Sequence, residues 1–157
     1  MSSGACTVEL VVLDSRLTEW GLPRYQSAMA AAVDLHVCAD GPVTLLAGGP
    51  PVLVSAGFAV HLNDAGLAAL VLPRSGMAHR RGLVLGNTIG LIDPDYMGPI
   101  LVSAWNRNAS GEAIVLEPGE RFAQMMFVPV VRPAFEVVTS FSVTSARGAG
   151  GYGSTGG

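Results

Sequence analysis

The stretch "LVLGNTIGLIDPDYMGPILVSAWNR", Leu83 to Arg107, holds two apolar runs on either side of a turn signal. The first run reaches Asp93, the chain turns through Pro94 and Asp95, and the second run starts at Pro99. Proline at the second position of a turn, with aspartate just before it, fixes φ and supplies a side-chain acceptor to the turn. The segment therefore reads as a β-hairpin whose tip carries two carboxylates, Asp93 and Asp95, and the ring of Tyr96. On local grounds such carboxylates are more often solvated turn formers than reactive groups.

Working outward, further β-rich runs stand between Gly and Pro signals: "TVELVVL" from Thr7, "VDLHV" from Val33, "PVLV" from Pro51, "GFAVHL" from Gly57 and "RFAQMMFVPVV" from Arg121. Many short strands with turn residues between them predict an all-β sandwich or barrel. Helix has little room. "MAHRRG" from Met77 makes a turn or two, and "NDAGLAAL" from Asn63 is a weaker helical candidate. One body over residues 1–144 is followed by a glycine-rich arm over 145–157, "RGAGGYGSTGG" at its end.

Half of the 157 residues are hydrophobic, only 13% are charged, and mean hydropathy is positive. That is the size of one domain with a real core and more apolar surface than a monomer hides well, which points to oligomerisation. A net charge of −3 with no basic stripe gives no general affinity for nucleic acid or an anionic membrane. All nine basic residues are arginine. Composition bias, in a chain rich in Ala, Gly, Val and Pro, is the favoured account, with bidentate phosphate binding by some arginines as the alternative that composition alone does not separate from it. Cys6 and Cys38 suggest neither a disulfide framework nor a metal site, and no apolar run approaches a membrane span, so a reducing cytoplasm is expected.

Missing motifs prune the chemistry. There is no lysine for a Walker A loop, no G-x-S-x-G elbow, and no zinc deaminase or H-E-x-x-H signature. G-x-G-x-x-G does occur in the tail, from Gly148 and again from Gly151, but no helix can follow it. Two other segments put polar groups in apolar company. In "LPRSGMAHRRG", Arg74 and Ser75 follow an apolar strand, either as a plain loop or as groups converging on an anion. In "GERFAQMM", Gln124 falls inside an apolar strand, where a buried amide needs partners. Asp34 and His36 share one strand face, too few ligands for a protein metal cage.

Taken in order, "AAVDLHV", "PRSGMAHRRG", "GNTIGLIDPDYMG", "GERFAQMMFVPV" and "RGAGGYGSTG" resemble the five motifs of the trimeric dUTPases, over nearly the whole chain. The resemblance implies a jelly-roll-like β-barrel, a homotrimer with three shared active sites, and Mg2+-assisted hydrolysis of dUTP to dUMP and pyrophosphate. It makes Asp93 the base that orients and deprotonates the attacking water, and leaves Asp95 to the turn. Arg74, Ser75, Gly76 and Gln124 match phosphate-binding positions, and Asp34 an aspartate that helps hold the hydrated metal through water. Asn87 matches a uracil-pocket residue, Tyr96 the ring against the deoxyribose, and Met97 a further substrate-binding position.

Through the same resemblance the arm becomes a lid from a neighbouring subunit. Arg147, Ser154 and Thr155 supply donors, Gly153 lets the backbone approach, and Tyr152 stacks on the base. Three positions depart from the family pattern: Ala32 where glycine is frequent, His36 where a basic residue is common, and Tyr152 where phenylalanine is usual. Competing readings are a dCTP deaminase of the same fold, disfavoured by "RSG" in place of R-S-S, and a nucleotide-binding trimer without chemistry. Cys6, Cys38, His61 and His79 are assigned no role beyond structure.

Overall fold

The structure, a computed structural model, describes residues 6–149. Two four-stranded antiparallel sheets enclose the core. The first runs in the order β1 (Glu9–Val12), β4 (Val52–His61), β8 (Pro99–Asn106), β6 (Leu83–Leu85). The second runs β2 (Val33–His36), β10 (Arg121–Pro129), β5 (Leu67–Pro73), β7 (Gly90–Ile92). A two-stranded ribbon pairs β3 (Val43–Leu45) with β9 (Ile114–Leu116), and two short helices, α1 (Leu17–Trp20) and α2 (Ser75–Arg81), complete the body. The expected all-β, jelly-roll-like architecture is what the chain adopts.

The core is made where the two sheets face each other: Val54, Phe58, Ile100 and Val102 from one meet Leu35, Val71, Phe122 and Met125 from the other. Phe58 and Phe122 are each 1% exposed. Side chains of this size contribute about 1.5–3 kcal/mol each when removed from water. Arginines, carboxylates and the loops that join the sheets are left outside this layer.

The runs "PVLV" and "GFAVHL" are one strand, β4, bent at Gly57. There φ is +78°, the pairing with β8 shifts between Ser55 and Ala59, and the Gly57 carbonyl accepts from both Leu13 and Asp14 N–H at 2.9 Å. A β-bulge explains the break in pattern that the sequence shows as a turn. No side chain fits: a Cβ would overlap Cys38 Sγ.

Two expectations need correction. The helical candidate from Asn63 to Leu70 is a turn and then a strand. Asp64 Oδ1 accepts from Gly66 N–H at 2.8 Å, its carbonyl from Leu67 N–H at 2.9 Å, and β5 begins at once. β5 lies between β10 and β7, so its run of apolar residues reflects burial in a central strand rather than a helical face. The predicted hairpin is the second correction. The turn is present, with Tyr96 N–H bonded to the Asp93 carbonyl at 3.1 Å, but its flanking strands lie in different sheets. β7 pairs with β5, and β8 with β4 and β6, so the turn carries the chain from one sheet to the other.

The last strand ends at Pro129, and residues 130–149 form neither helix nor strand. Phe135, Val137 and Phe141 in this segment are at least 90% exposed. No helix among the described residues is long and apolar enough to cross a membrane.

Candidate active site

The crossover between the sheets builds one cavity. Its floor comes from Val71, Leu85 and Val102, and its rim from Asn87, Gly90, Asp93 and Tyr96, around about 240 Å3. The loop from Gly86 to Ile89 is tightly wound. Thr88 N–H reaches the Leu85 carbonyl at 3.0 Å, Ile89 N–H reaches that of Asn87 at 2.7 Å, and Thr88 takes φ +67°. A β-branched residue in the left-handed region is costly, and such strain collects where a loop must present its groups in one arrangement. On the far rim Tyr96 donates its hydroxyl to the Pro99 carbonyl at 2.9 Å, which folds its ring over Gly98.

The turn separates its two carboxylates. Asp93 lines the cavity with Asn87 and Tyr96, whereas Asp95 lines another with His61, Asn63, Asp64 and Arg132. Met97 is on neither of these: it is 68% exposed beside an apolar groove formed by β1 and β4.

A second, polar cavity of about 390 Å3 lies at the ends of β2, β10 and β5. Register puts Gln124 of β10 opposite Asp34 of β2 on one side and Leu72 of β5 on the other, next to the Pro73–Arg74 corner. Arg74 gives Nε to Asp34 Oδ1 at 2.9 Å and Nη1 to the Arg121 carbonyl at 3.1 Å. Arg121 takes the other oxygen, Nη1 to Oδ2 at 3.1 Å, and the Gln124 amide donates to the Pro73 carbonyl at 2.9 Å. Ser75, Gly76, Arg80 and Gln26 complete the wall. Three arginines therefore face one carboxylate, a strongly electropositive bowl suited to a polyanion.

His36 stands behind this bowl, 8% exposed. Burial pushes its pKa down; Asp34 opposes that shift, while Arg121, Arg74 and Arg24 reinforce it. The imidazole is thus neutral near pH 7, and the positive charge of the bowl belongs to the arginines.

Of the residues singled out in the sequence, Asp93, Asn87 and Tyr96 meet in the first cavity, and Asp34, Arg74, Ser75, Gly76 and Gln124 in the second. Arg147 sits in a turn on the segment after β10. Tyr152, Gly153, Ser154 and Thr155 lie outside the described residues. Sequence reasoning missed Arg121, Arg80 and Gln26. Arg121 is an odd number of residues from Gln124, which places the two on opposite faces of a regular strand. A register shift between Arg121 and Ala123 resets the alternation, so that both line one cavity.

This pairing of an aspartate turn with an arginine bowl is accompanied by close likeness to known proteins. The dUTPase family model matches residues 18–156. The chain belongs to the dUTPase family. A deoxyuridine 5'-triphosphate nucleotidohydrolase of Xylella fastidiosa (strain M23) is 50% identical over 157 residues, covering 99% of both chains. The protein of the same name from Thiobacillus denitrificans (strain ATCC 25259 / T1) is 52% identical over 149 residues, covering 95% of this chain and 99% of its own. Among solved structures, the dUTPase of Staphylococcus bacteriophage 80alpha with dUPNHPP superposes with a TM-score of 0.79 at 23% identity, over 96% of this chain and 98% of that one. That likeness shows a shared fold.

Proposed function

We propose that the protein hydrolyses dUTP to dUMP and pyrophosphate, as a homotrimer whose active sites are shared between subunits. The observation that carries this reading is the division of labour between the two cavities. One holds Asp93 at the rim of a cavity of about 240 Å3, and the other gathers arginines, a hydroxyl and an amide. On this reading, as the resemblance to the trimeric dUTPases implies, each active site takes the Asp93 cavity of one copy and the arginine bowl of another. The exposed Phe135, Val137 and Phe141 supply the apolar surface such an assembly would cover.

In this mechanism uracil enters the first cavity, where backbone groups of the Gly86–Gly90 loop and Asn87 meet its polar edge. Cytosine would present an amino group to donors, and the thymine methyl would meet the pocket wall. Tyr96 packs on the deoxyribose and leaves no space for a 2′-hydroxyl. Asp93 accepts a proton from the attacking water and aims it at the α-phosphorus, in line with the departing pyrophosphate. Arg74, Ser75, Gly76 and Gln124 hold phosphate oxygens and stabilise the charge that grows on the leaving group. The tail, through Arg147, Tyr152, Gly153, Ser154 and Thr155, closes over the bound nucleotide from a neighbouring subunit.

The donor set fits a magnesium ion carried mainly by the triphosphate. No group of three His, Cys, Asp or Glu among the described residues is arranged to hold a metal, and both oxygens of Asp34 already accept from arginines. Asp34 would therefore reach the ion through water, as magnesium commonly permits. Bound there, the ion supplies charge neutralisation on the phosphates.

Pyrophosphate release from dUTP, dCTP, dTTP and UTP in the presence of magnesium tests the reading. Rapid release from dUTP alone is expected. Bound dUTP with no release would leave a binding trimer, and ammonia from dCTP would make the protein a deaminase.

A further inference from the structure

Of the three arginines around the phosphate bowl, two are already committed. Arg74 and Arg121 divide the oxygens of Asp34 between them, at 2.9 Å and 3.1 Å. Arg80 forms no ion pair among the described residues, yet it lines the same bowl. Its position follows from helix geometry. It lies four residues after Gly76 in α2, and helical side chains lean toward the N-terminal end, so its guanidinium comes back over Gly76. A Cβ at position 76 would stand only 2.9 Å from Arg80 Nη2. Gly76 is thus the gap through which the Arg80 head reaches the bowl. Arg81, the next residue, points elsewhere and is engaged by Glu120 at 2.7 Å and by the Val115 carbonyl at 2.7 Å.

We infer that Arg80 binds the pyrophosphate portion of the substrate and sets the preference for triphosphate over monophosphate. This rests on the dUTP reading above. An arginine without a carboxylate partner keeps its full charge for an incoming anion, whereas Arg74 and Arg121 bring charge already half neutralised by Asp34. The β and γ phosphates carry most of the charge of the nucleotide and have no counterpart in dUMP. A cation that grips them raises affinity for substrate without holding back the nucleotide product.

Calorimetric titration of wild-type protein, R80Q and R80K with dUpNHpp and with dUMP decides the matter. For R80Q, dUpNHpp affinity is expected to fall roughly tenfold to a hundredfold, the range for losing a charged hydrogen-bond donor, with dUMP affinity unchanged. R80K, which keeps the charge and loses the fork, is expected to fall between the two. Equal dUpNHpp affinity in R80Q and wild type overturns the assignment of Arg80 alone. So does a loss shared equally by dUMP, which marks a purely structural role. Wild-type protein that binds no dUpNHpp overturns the dUTP reading itself, and the Arg80 assignment with it.

Discussion

Gly98→Ala separates the site from the scaffold. At Gly98 a Cβ would lie 2.5 Å from the Tyr96 hydroxyl oxygen and 2.7 Å from Cζ, so the ring must leave. The φ of Gly98 is outside the left-handed region, which leaves steric displacement as the whole effect. Tyr96 is 40% exposed and has space to swing away, at the cost of its 2.9 Å bond to the Pro99 carbonyl. That bond is worth about 0.5–1.5 kcal/mol. At about 2–4 °C per kcal/mol for a chain of this size, melting should fall by roughly 1–6 °C. If the ring packs on the deoxyribose, about 1–2 kcal/mol of contact is lost with it, or roughly a 5- to 30-fold drop in kcat/KM for dUTP. Discrimination against UTP should narrow at the same time. Steady-state kinetics on Gly98→Ala, Tyr96→Ala and the double variant provide the assay. The double variant should be no worse than Tyr96→Ala, because both changes remove one ring. Wild-type kcat/KM in Gly98→Ala, or a further loss on the Tyr96→Ala background, would refute the reasoning.

Other outcomes follow from the same geometry. Asp93→Asn keeps the turn, since the Asp93 backbone carbonyl makes the bond to Tyr96, and is expected to bind dUTP while losing turnover by at least about a hundredfold; substantial residual turnover would remove Asp93 from the role of base. Ending the chain after Arg147 should cripple hydrolysis and leave the melting temperature of the body unchanged, and full activity in that variant would end the lid argument. Burial, with Asp14 adding to it, pushes the Cys38 thiol up to about 11. It therefore stays protonated and unreactive at pH 8 and gains thiolate only as pH rises toward that value. A thiol reagent at pH 8 should label the exposed Cys6 quickly and Cys38 only after unfolding; equal labelling in the native state would contradict its placement against Gly57.

The sequence showed the strands whose burial alternates or whose ends carry Gly and Pro, and it showed the Asp93–Pro94 turn, because those signals are local. It did not show which strands pair. The crossover after β7 looked like a hairpin since both flanks are apolar, and only the pairing of β7 with β5 distinguishes the two. Likewise β5 looked partly helical because alanine and leucine suit either state, and its central place in a sheet decided the matter. The residues that line the two cavities were singled out through their ordered resemblance to known motifs. Arg80 and Arg121 were not, because one depends on the lean of a helical side chain and the other on a bulge.

The placing of Asp93 and of the arginines in two separate cavities has a genetic consequence under the shared-site reading. If each centre borrows its aspartate from one copy and its arginines from another, a chain broken at Asp93 still carries a sound phosphate bowl, and a chain broken at Arg74 still carries a sound base. Co-expressed in equal amounts, two inactive alleles would assemble with about a quarter of their centres whole, by random choice of the two contributing copies. Activity would then emerge from a mixture of two proteins that have none alone, and intragenic complementation would expose the architecture without a structure of the assembly.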